Sequence, residues 1–221
     1  MNEVRISNIV ATALFDVKIN LEALAWHAKG DYAPASFAAV QIRITHPTAT
    51  ALVFSSGRLV TTGASSEAAA FTSVYVFYRM IRDLHPGIRI MNITLQNLVA
   101  SADLESCVRL DRLAARYSLN AIFDSSLFPG LRLQLKDPNV KILIFAKGRV
   151  VLTGARSRAD LARAWATARL TVGEFLTDED VTHRSLQVIR NSRKKLKVDK
   201  SIIDEDAVLD EAVQAEVAAL V

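Results

Sequence analysis

Two sets of six residues in this chain run through the same order of types: Asn8, Val10, Leu52, Phe54, Val60 and Thr62, and then Asn97, Val99, Leu143, Phe145, Val151 and Thr153. Each pair within a set falls on alternate positions of a short run rich in Val, Ile, Thr and Phe, so on an extended strand the two side chains project to one side. The surface they make is apolar and uncharged, with an amide and a hydroxyl among aliphatic and aromatic groups. Two environments suit it. One is a protein core, the usual fate of alternating apolar positions, provided the Asn and Thr find hydrogen-bond partners. The other is the floor of a DNA minor groove at A·T pairs, which is shallow, apolar and edged by acceptors.

Catalytic chemistry has no comparable footing. His27, His46, His85 and His183 have no acid or nucleophile constellation around them. A single cysteine, Cys107, rules out an internal disulfide, and with four scattered histidines it supplies no zinc-ligand spacing. No catalytic residue, metal or cofactor is expected, and one thiol suits a reducing compartment. Membrane insertion is not expected either, because no apolar run reaches the roughly 18 residues of a span. Met1-Asn2-Glu3-Val4-Arg5 lacks the basic segment and apolar core of a secretion signal. At 51% hydrophobic residues, the 221-residue chain is apolar enough to fold. Residues 177–221 hold seven Lys/Arg and ten Asp/Glu, net −3, which leaves the first 176 residues at +7 and suited to a polyanionic partner.

The elements that must position the two sets are themselves duplicated. Residues 51–66, ALVFSSGRLVTTGASS, and 142–157, ILIFAKGRVVLTGARS, are identical at nine of sixteen positions at an offset of 91. Asn8-Ile9-Val10-Ala11 matches Asn97-Leu98-Val99-Ala100 at an offset of 89. The chain therefore reads as two copies of a unit of about 90 residues, a pseudo-twofold arrangement rather than a solenoid of many short repeats. Strands are predicted over 7–17, 36–45, 50–55 and 58–63, and over 96–102, 130–136, 140–146 and 149–154, with turns at Ser55-Ser56-Gly57-Arg58 and Lys147-Gly148. Helices are predicted over 20–29, 66–84, 104–117 and 157–175, three of them opened by an Asn or Ser cap. The fold class is α+β, helices on one face of an antiparallel sheet, with the opposite face expected to stay open to solvent.

Ser7-Asn8-Ile9-Val10, Phe37-Ala38-Ala39-Val40, Thr50 to Arg58, Thr62-Gly63-Ala64, Gln96-Asn97-Leu98-Val99, Leu127-Phe128-Pro129-Gly130-Leu131 and Val150 to Ala155 occur in this order. Together they resemble the core domain of the TATA-box-binding protein family, from about Arg5 to Leu176. The resemblance implies a saddle of ten antiparallel strands with four main helices on the convex back, residues 1–91 forming the first repeat, 92–176 the second and 177–221 an extension. It also implies a nuclear, non-enzymatic initiation factor that binds and bends A·T-rich promoter DNA through the minor groove and nucleates a preinitiation complex.

By the same resemblance, Phe37, Phe54, Phe128 and Phe145 are the wedges that enter base steps. Asn8, Asn97, Thr62 and Thr153 meet base acceptors, and Val10, Val60, Val99, Val151, Leu52 and Leu143 line the contact. Arg43, Arg58, Arg149, Arg156 and Arg158 are the phosphate contacts. Ser36, Ser65 and Gln134 stand where the family usually carries a cation, so weaker binding is expected. Asp124 and Leu127 match the segment that meets a transcription factor IIB-like partner, and Arg79 and Arg82 remain on the long helix that serves IIA-like partners and regulators. Five apolar residues on that helix, Phe71, Val74, Tyr75, Phe77 and Tyr78, exceed one buried stripe.

The missing cations and the recast helix support an alternative, a related paralogue that acts mainly as a protein scaffold within a promoter complex. An open apolar face also invites free chains to pair as homodimers. In the extension, Arg190 to Lys200 form a basic cluster that reads as a solvated helix or a DNA or nuclear-import patch. Val208, Leu209, Val213, Val217 and Leu220 recur at helical spacing beside Asp210, Glu211 and Glu216, an amphipathic segment suited to the core or to a partner.

Overall fold

A computed structural model of the chain describes residues 4–177; the basic cluster and the amphipathic segment lie outside the described residues. The chain divides into two compact units, Ile6–Leu98 and residues 4–5 with 99–177.

In the first unit β1 (Arg5–Phe15), α1 (Leu21–Ala28), β2 (Ala39–Thr45), β3 (Thr48–Phe54), β4 (Arg58–Ala64) and α2 (Glu67–Leu84) follow one another, and the strands lie in the order β2-β3-β4-β1. β5 (Ile90–Asp103) carries the chain into the second unit. There β6 (Cys107–Val108), α3 (Leu110–Arg116), β7 (Ala121–Ile122), β8 (Gly130–Gln134), β9 (Lys141–Phe145), β10 (Arg149–Ala155), α4 (Arg158–Val172) and β11 (Leu176–Thr177) follow, with strand order β10-β9-β8-β7. Of the five strands expected in each repeat, the second carries β5 and β7 to β10. The first carries β1 to β4, and where β7 would have its counterpart there is a single bridge, Asp31 to Gln41.

Local sequence explains why these elements start and stop. Asn20 Oδ1 accepts from Ala23 N, Ser66 Oγ from Ala69 N and Ser157 Oγ from Asp160 N, each at 3.1 Å, which satisfies an amide that the first helical turn leaves unpaired. Glu67 and Asp160 add negative charge beside the helix N-termini. The helix predicted from residue 104 begins instead at Leu110. Cys107 and Val108 pair with Thr177 and Leu176, so a long-range ladder takes residues whose local pattern suited a helix.

One face of the first sheet meets the helices. Ala11, Ala13, Val53 and Leu59 pack with Leu21 and Leu24 of α1 and with Val74, Phe77 and Ile81 of α2. Each fully buried Leu, Ile or Phe contributes about 1.5–3 kcal/mol. The alternate residues of the same strands are absent from that core and turn to the other side.

Candidate nucleic-acid interface

Residues directly opposite one another on neighbouring antiparallel strands project to the same face. In the first unit, Gln41 lies opposite Leu52, Leu52 opposite Val60 and Val60 opposite Thr12, a row across four strands; Arg43, Thr50 and Thr62 form the next row. The second unit repeats the plan with Arg132, Leu143 and Val151, then Gln134, Lys141 and Thr153. The alternation read from sequence therefore carries over into two uncharged floors edged by cations.

At one end of each floor stands an aromatic pair. The ring centroids of Phe37 and Phe54 are 6.2 Å apart at 69°, and those of Phe128 and Phe145 6.0 Å apart at 57°. Matching backbone turns present the first ring of each pair: Phe37 N donates to Ala33 O and Phe128 N to Asp124 O, both at 2.9 Å. Opposite Phe145 only Gly130 leaves space, because a Cβ there would stand 2.7 Å from Phe128 Cε1 and 3.0 Å from Phe145 Cε1.

Asn8 has the most telling geometry. Its Oδ1 accepts from Gly63 N at 2.6 Å and from the Thr62 hydroxyl at 3.2 Å, which fixes the amide's orientation by its partners. Its Nδ2 is buried and has no hydrogen-bond partner among the described residues. A donor held in place on an apolar floor is the group that a base acceptor would satisfy.

The cations divide into two groups. Arg43, Arg58 and Arg149 lie on the strands, whereas Arg156 precedes α4 and Arg158 opens it. Arg132 and Lys141 lie on the second floor and escaped the sequence reading, although alternation from Gly130 and from Leu143 points to both. The Arg132 guanidinium lies 5.2 Å from the Phe128 ring centroid.

The open face expected from sequence holds only in part. Val10 and Val60 are buried in the first unit, while Phe37 is 40% exposed and Leu52, Phe54 and Thr62 are half-buried. In the second repeat Asn97, Val99 and Val151 are buried, and Leu143, Phe145 and Thr153 keep only 9%, 4% and 5% exposure. Among the described residues, Val99, Leu143, Phe145 and Val151 form a cluster of their own with Phe128 against it, and none of these lies on α1 to α4.

The residues expected to meet proteins stand outward. Leu127 is 76% exposed, and Asp124 Oδ1 accepts from the hydroxyl and the amide N–H of Ser126 at 2.6 and 2.9 Å. Those bonds, the hydroxyl's first, hold the Asp124 carboxyl below its ordinary range. Arg79 and Arg82 are exposed on α2. Of the five apolar residues on that helix, Val74 and Phe77 are buried and Phe71 and Tyr75 are exposed. Tyr78 is half-buried, its ring stacked on Phe15 and its hydroxyl donating to Ile88 O.

A sequence model of the family described as transcription factor TFIID (or TATA-binding protein, TBP) matches residues 3–84 and 92–174, one stretch for each repeat. The chain belongs to the TATA-binding protein family. TATA box-binding protein-like 2 of Rattus norvegicus is 40% identical over 162 residues, 73% of this chain and 47% of that protein. The TATA-box-binding protein of Emericella nidulans is 36% identical over 171 residues, 77% of this chain and 64% of that one. Among solved structures, Methanococcus jannaschii TBP superposes with a TM-score of 0.70 at 33% identity, covering 78% of this chain and 99% of its own. The chain thus spans about half to two thirds of the length of these two curated relatives. The family is one of transcription factors rather than enzymes.

Proposed function

We propose that this chain is a nuclear initiation factor that seats A·T-rich promoter DNA, minor groove inward, on the two sheet floors and bends it. The observation that carries the reading is the Asn8 amide, pinned by Gly63 and Thr62 with its donor unmet. Adenine N3 and thymine O2 are acceptors, so an A·T floor satisfies that donor, whereas a G·C pair brings an amino group against an apolar surface. The four phenylalanines supply the wedges. Unstacking costs a few kcal/mol per step and bending about 1–6 kcal/mol, a sum to be offset by burial of the ring area still exposed, chiefly on Phe37 and Phe54, together with phosphate and base-edge contacts. Arg43, Arg58 and Arg149 would hold phosphates, with Arg156 and Arg158 beside the second floor's last strand. Preinitiation assembly would follow through Asp124 and Leu127 toward a IIB-like factor and through Arg79 and Arg82 toward a IIA-like one.

A bend-sensitive fluorescence titration of the full chain tests this, with a TATA duplex and a G·C-rich control at two salt concentrations. Preference for the TATA duplex with a bend is expected, and Phe54→Ala with Phe145→Ala should lose most of the bend. Equal affinity for the two duplexes, or binding without a bend, would overturn the reading. Ser36, Ser65 and Gln134 at cation positions, with Phe71 and Tyr75 exposed on α2, favour a second reading, a scaffold paralogue with weak intrinsic DNA affinity. A TATA affinity no better than that for random duplex, together with tight capture of a partner through α2, would select it.

A further inference from the structure

The row of Gln41, Leu52, Val60 and Thr12 continues onto a fifth strand. β5 neighbours β1, and Gln96 Nε2 donates to Thr12 Oγ1 at 2.8 Å, both residues lying within Ile6–Leu98. Ile93 and Leu95 pack on the core beneath the helices, which turns Thr94 and Gln96 to the floor. Val99, clustered with Leu143 and Phe145, shows that the alternation shifts by one residue in between. Thr12 is 9% exposed, whereas Gln96 is half-buried and its Oε1 has no hydrogen-bond partner among the described residues.

With its amide nitrogen held by Thr12, Gln96 offers the floor a carbonyl oxygen. Asn8 offers the opposite, a nitrogen donor whose oxygen is held by Gly63 and Thr62. Gln41, at the far end of the row, makes no side-chain hydrogen bond among the described residues, so nothing orients its amide. Minor-groove edges carry acceptors at every base pair and one kind of donor, the guanine 2-amino group. We infer that Gln96 Oε1 takes that amino group, so that one place on the first unit's floor admits a G·C pair where the rest of the floor excludes it.

The inference rests on the DNA reading and deepens it, from a preference for A·T to a site of mixed composition. Ser7 stands before Asn8 where Gln96 stands before Asn97, so the carboxamide occurs in one repeat only. A G·C pair at the Gln96 step therefore distinguishes the two directions in which a duplex could lie, which the asparagines, valines and phenylalanines shared by both repeats do not. One hydrogen bond between uncharged groups is worth about two- to tenfold in affinity.

The test uses the full chain and fluorescence anisotropy with a TATA duplex in which each A·T pair in turn becomes G·C or inosine·C, a pair that differs from G·C only in lacking the 2-amino group. Inosine·C should bind better than G·C at every step but one; at that step, on one strand, G·C should bind about two- to tenfold better. Gln96→Met, of similar length and without the acceptor, should reverse the order there and leave the other steps unchanged. Gln96→Glu keeps an acceptor for both the Thr12 hydroxyl and the amino group, so it should retain the exceptional step at a lower overall affinity, and it serves where the methionine variant does not fold. Inosine·C better at every step for the wild-type chain would overturn the inference and leave the DNA reading standing. An exceptional step that survives Gln96→Met, or one lost in a folded Gln96→Glu, would overturn it as well. A wild-type chain with no preference for the unmodified TATA duplex would take down the DNA reading, and the inference with it.

Discussion

Asn8→Asp separates two jobs that one side chain performs. Asparagine accepts two bonds at Oδ1, from Gly63 N and the Thr62 hydroxyl, and offers a donor at Nδ2. Aspartate keeps the acceptor and replaces the donor with a second, charged acceptor, whereas Asn8→Ala removes everything. At about 0.5–1.5 kcal/mol per bond, Asn8→Ala should cost about 1–3 kcal/mol of stability, or roughly 2–4 °C in Tm for each kcal/mol in a chain of this size. Asn8→Asp should cost less, since charge-assisted bonds to Gly63 and Thr62 offset much of the burden of a carboxylate at a site 7% exposed. DNA binding should rank them the other way. A lost base-edge donor is worth about 1–3 kcal/mol, a 5- to 150-fold weakening, and the carboxylate adds repulsion toward base acceptors and phosphates. Chemical denaturation and fluorescence anisotropy with a TATA duplex, run on the same three proteins, read both rankings. Wild-type affinity in Asn8→Asp would refute the donor argument. Equal destabilisation by the two substitutions would refute the role given to Oδ1.

Arg43→Ala and Arg149→Ala should each lower the slope of log affinity against log salt by about 1 while leaving the preference for A·T over G·C intact, as salt titrations would show. Gly148→Ala should destabilise the chain by more than about 2 kcal/mol, because φ is +90° and the new Cβ would meet Ser106 O. Gly87→Ala, at φ +91° with nothing within 4 Å, should cost about 1–2 kcal/mol; equal midpoints in denaturant for the two would contradict the steric part. Asp16 is held below its ordinary 3.8 by Arg89, whose backbone N–H donates to it first and whose side chain adds a second bond. Its contribution is complete above about pH 5 and is lost as pH falls through the lowered value, so Asp16→Asn should destabilise at pH 7 and converge with the wild type in strong acid. A constant difference across that range would exclude the linkage.

Much of the candidate surface was legible because a strand's period of two turns a list of residues into a shared face without further information. Asn8 and Val10, or Leu143 and Phe145, must share a face once their runs are extended, and the offset of 91 says that it happens twice. Arg132 and Lys141 were as readable by the same rule, and were missed because charged residues draw no notice in an apolar pattern. What lay beyond reading was any feature set by a partner far along the chain. Gly63 sits 55 residues from the amide it fixes, and Thr177 sits 70 residues from the Cys107 that it holds in a strand.

The amino-acid order by itself determined the duplication, the α+β class, the helix caps at Asn20, Ser66 and Ser157, and the residues that face away from the helices. These follow from periods and side-chain donors acting over a few residues. Tertiary structure alone decided where α3 begins, which way the Asn8 amide points, and that Phe145 is hidden while Phe54 is half in view. Each of those depends on which distant groups come within bonding or van der Waals range, and local periodicity carries no record of that.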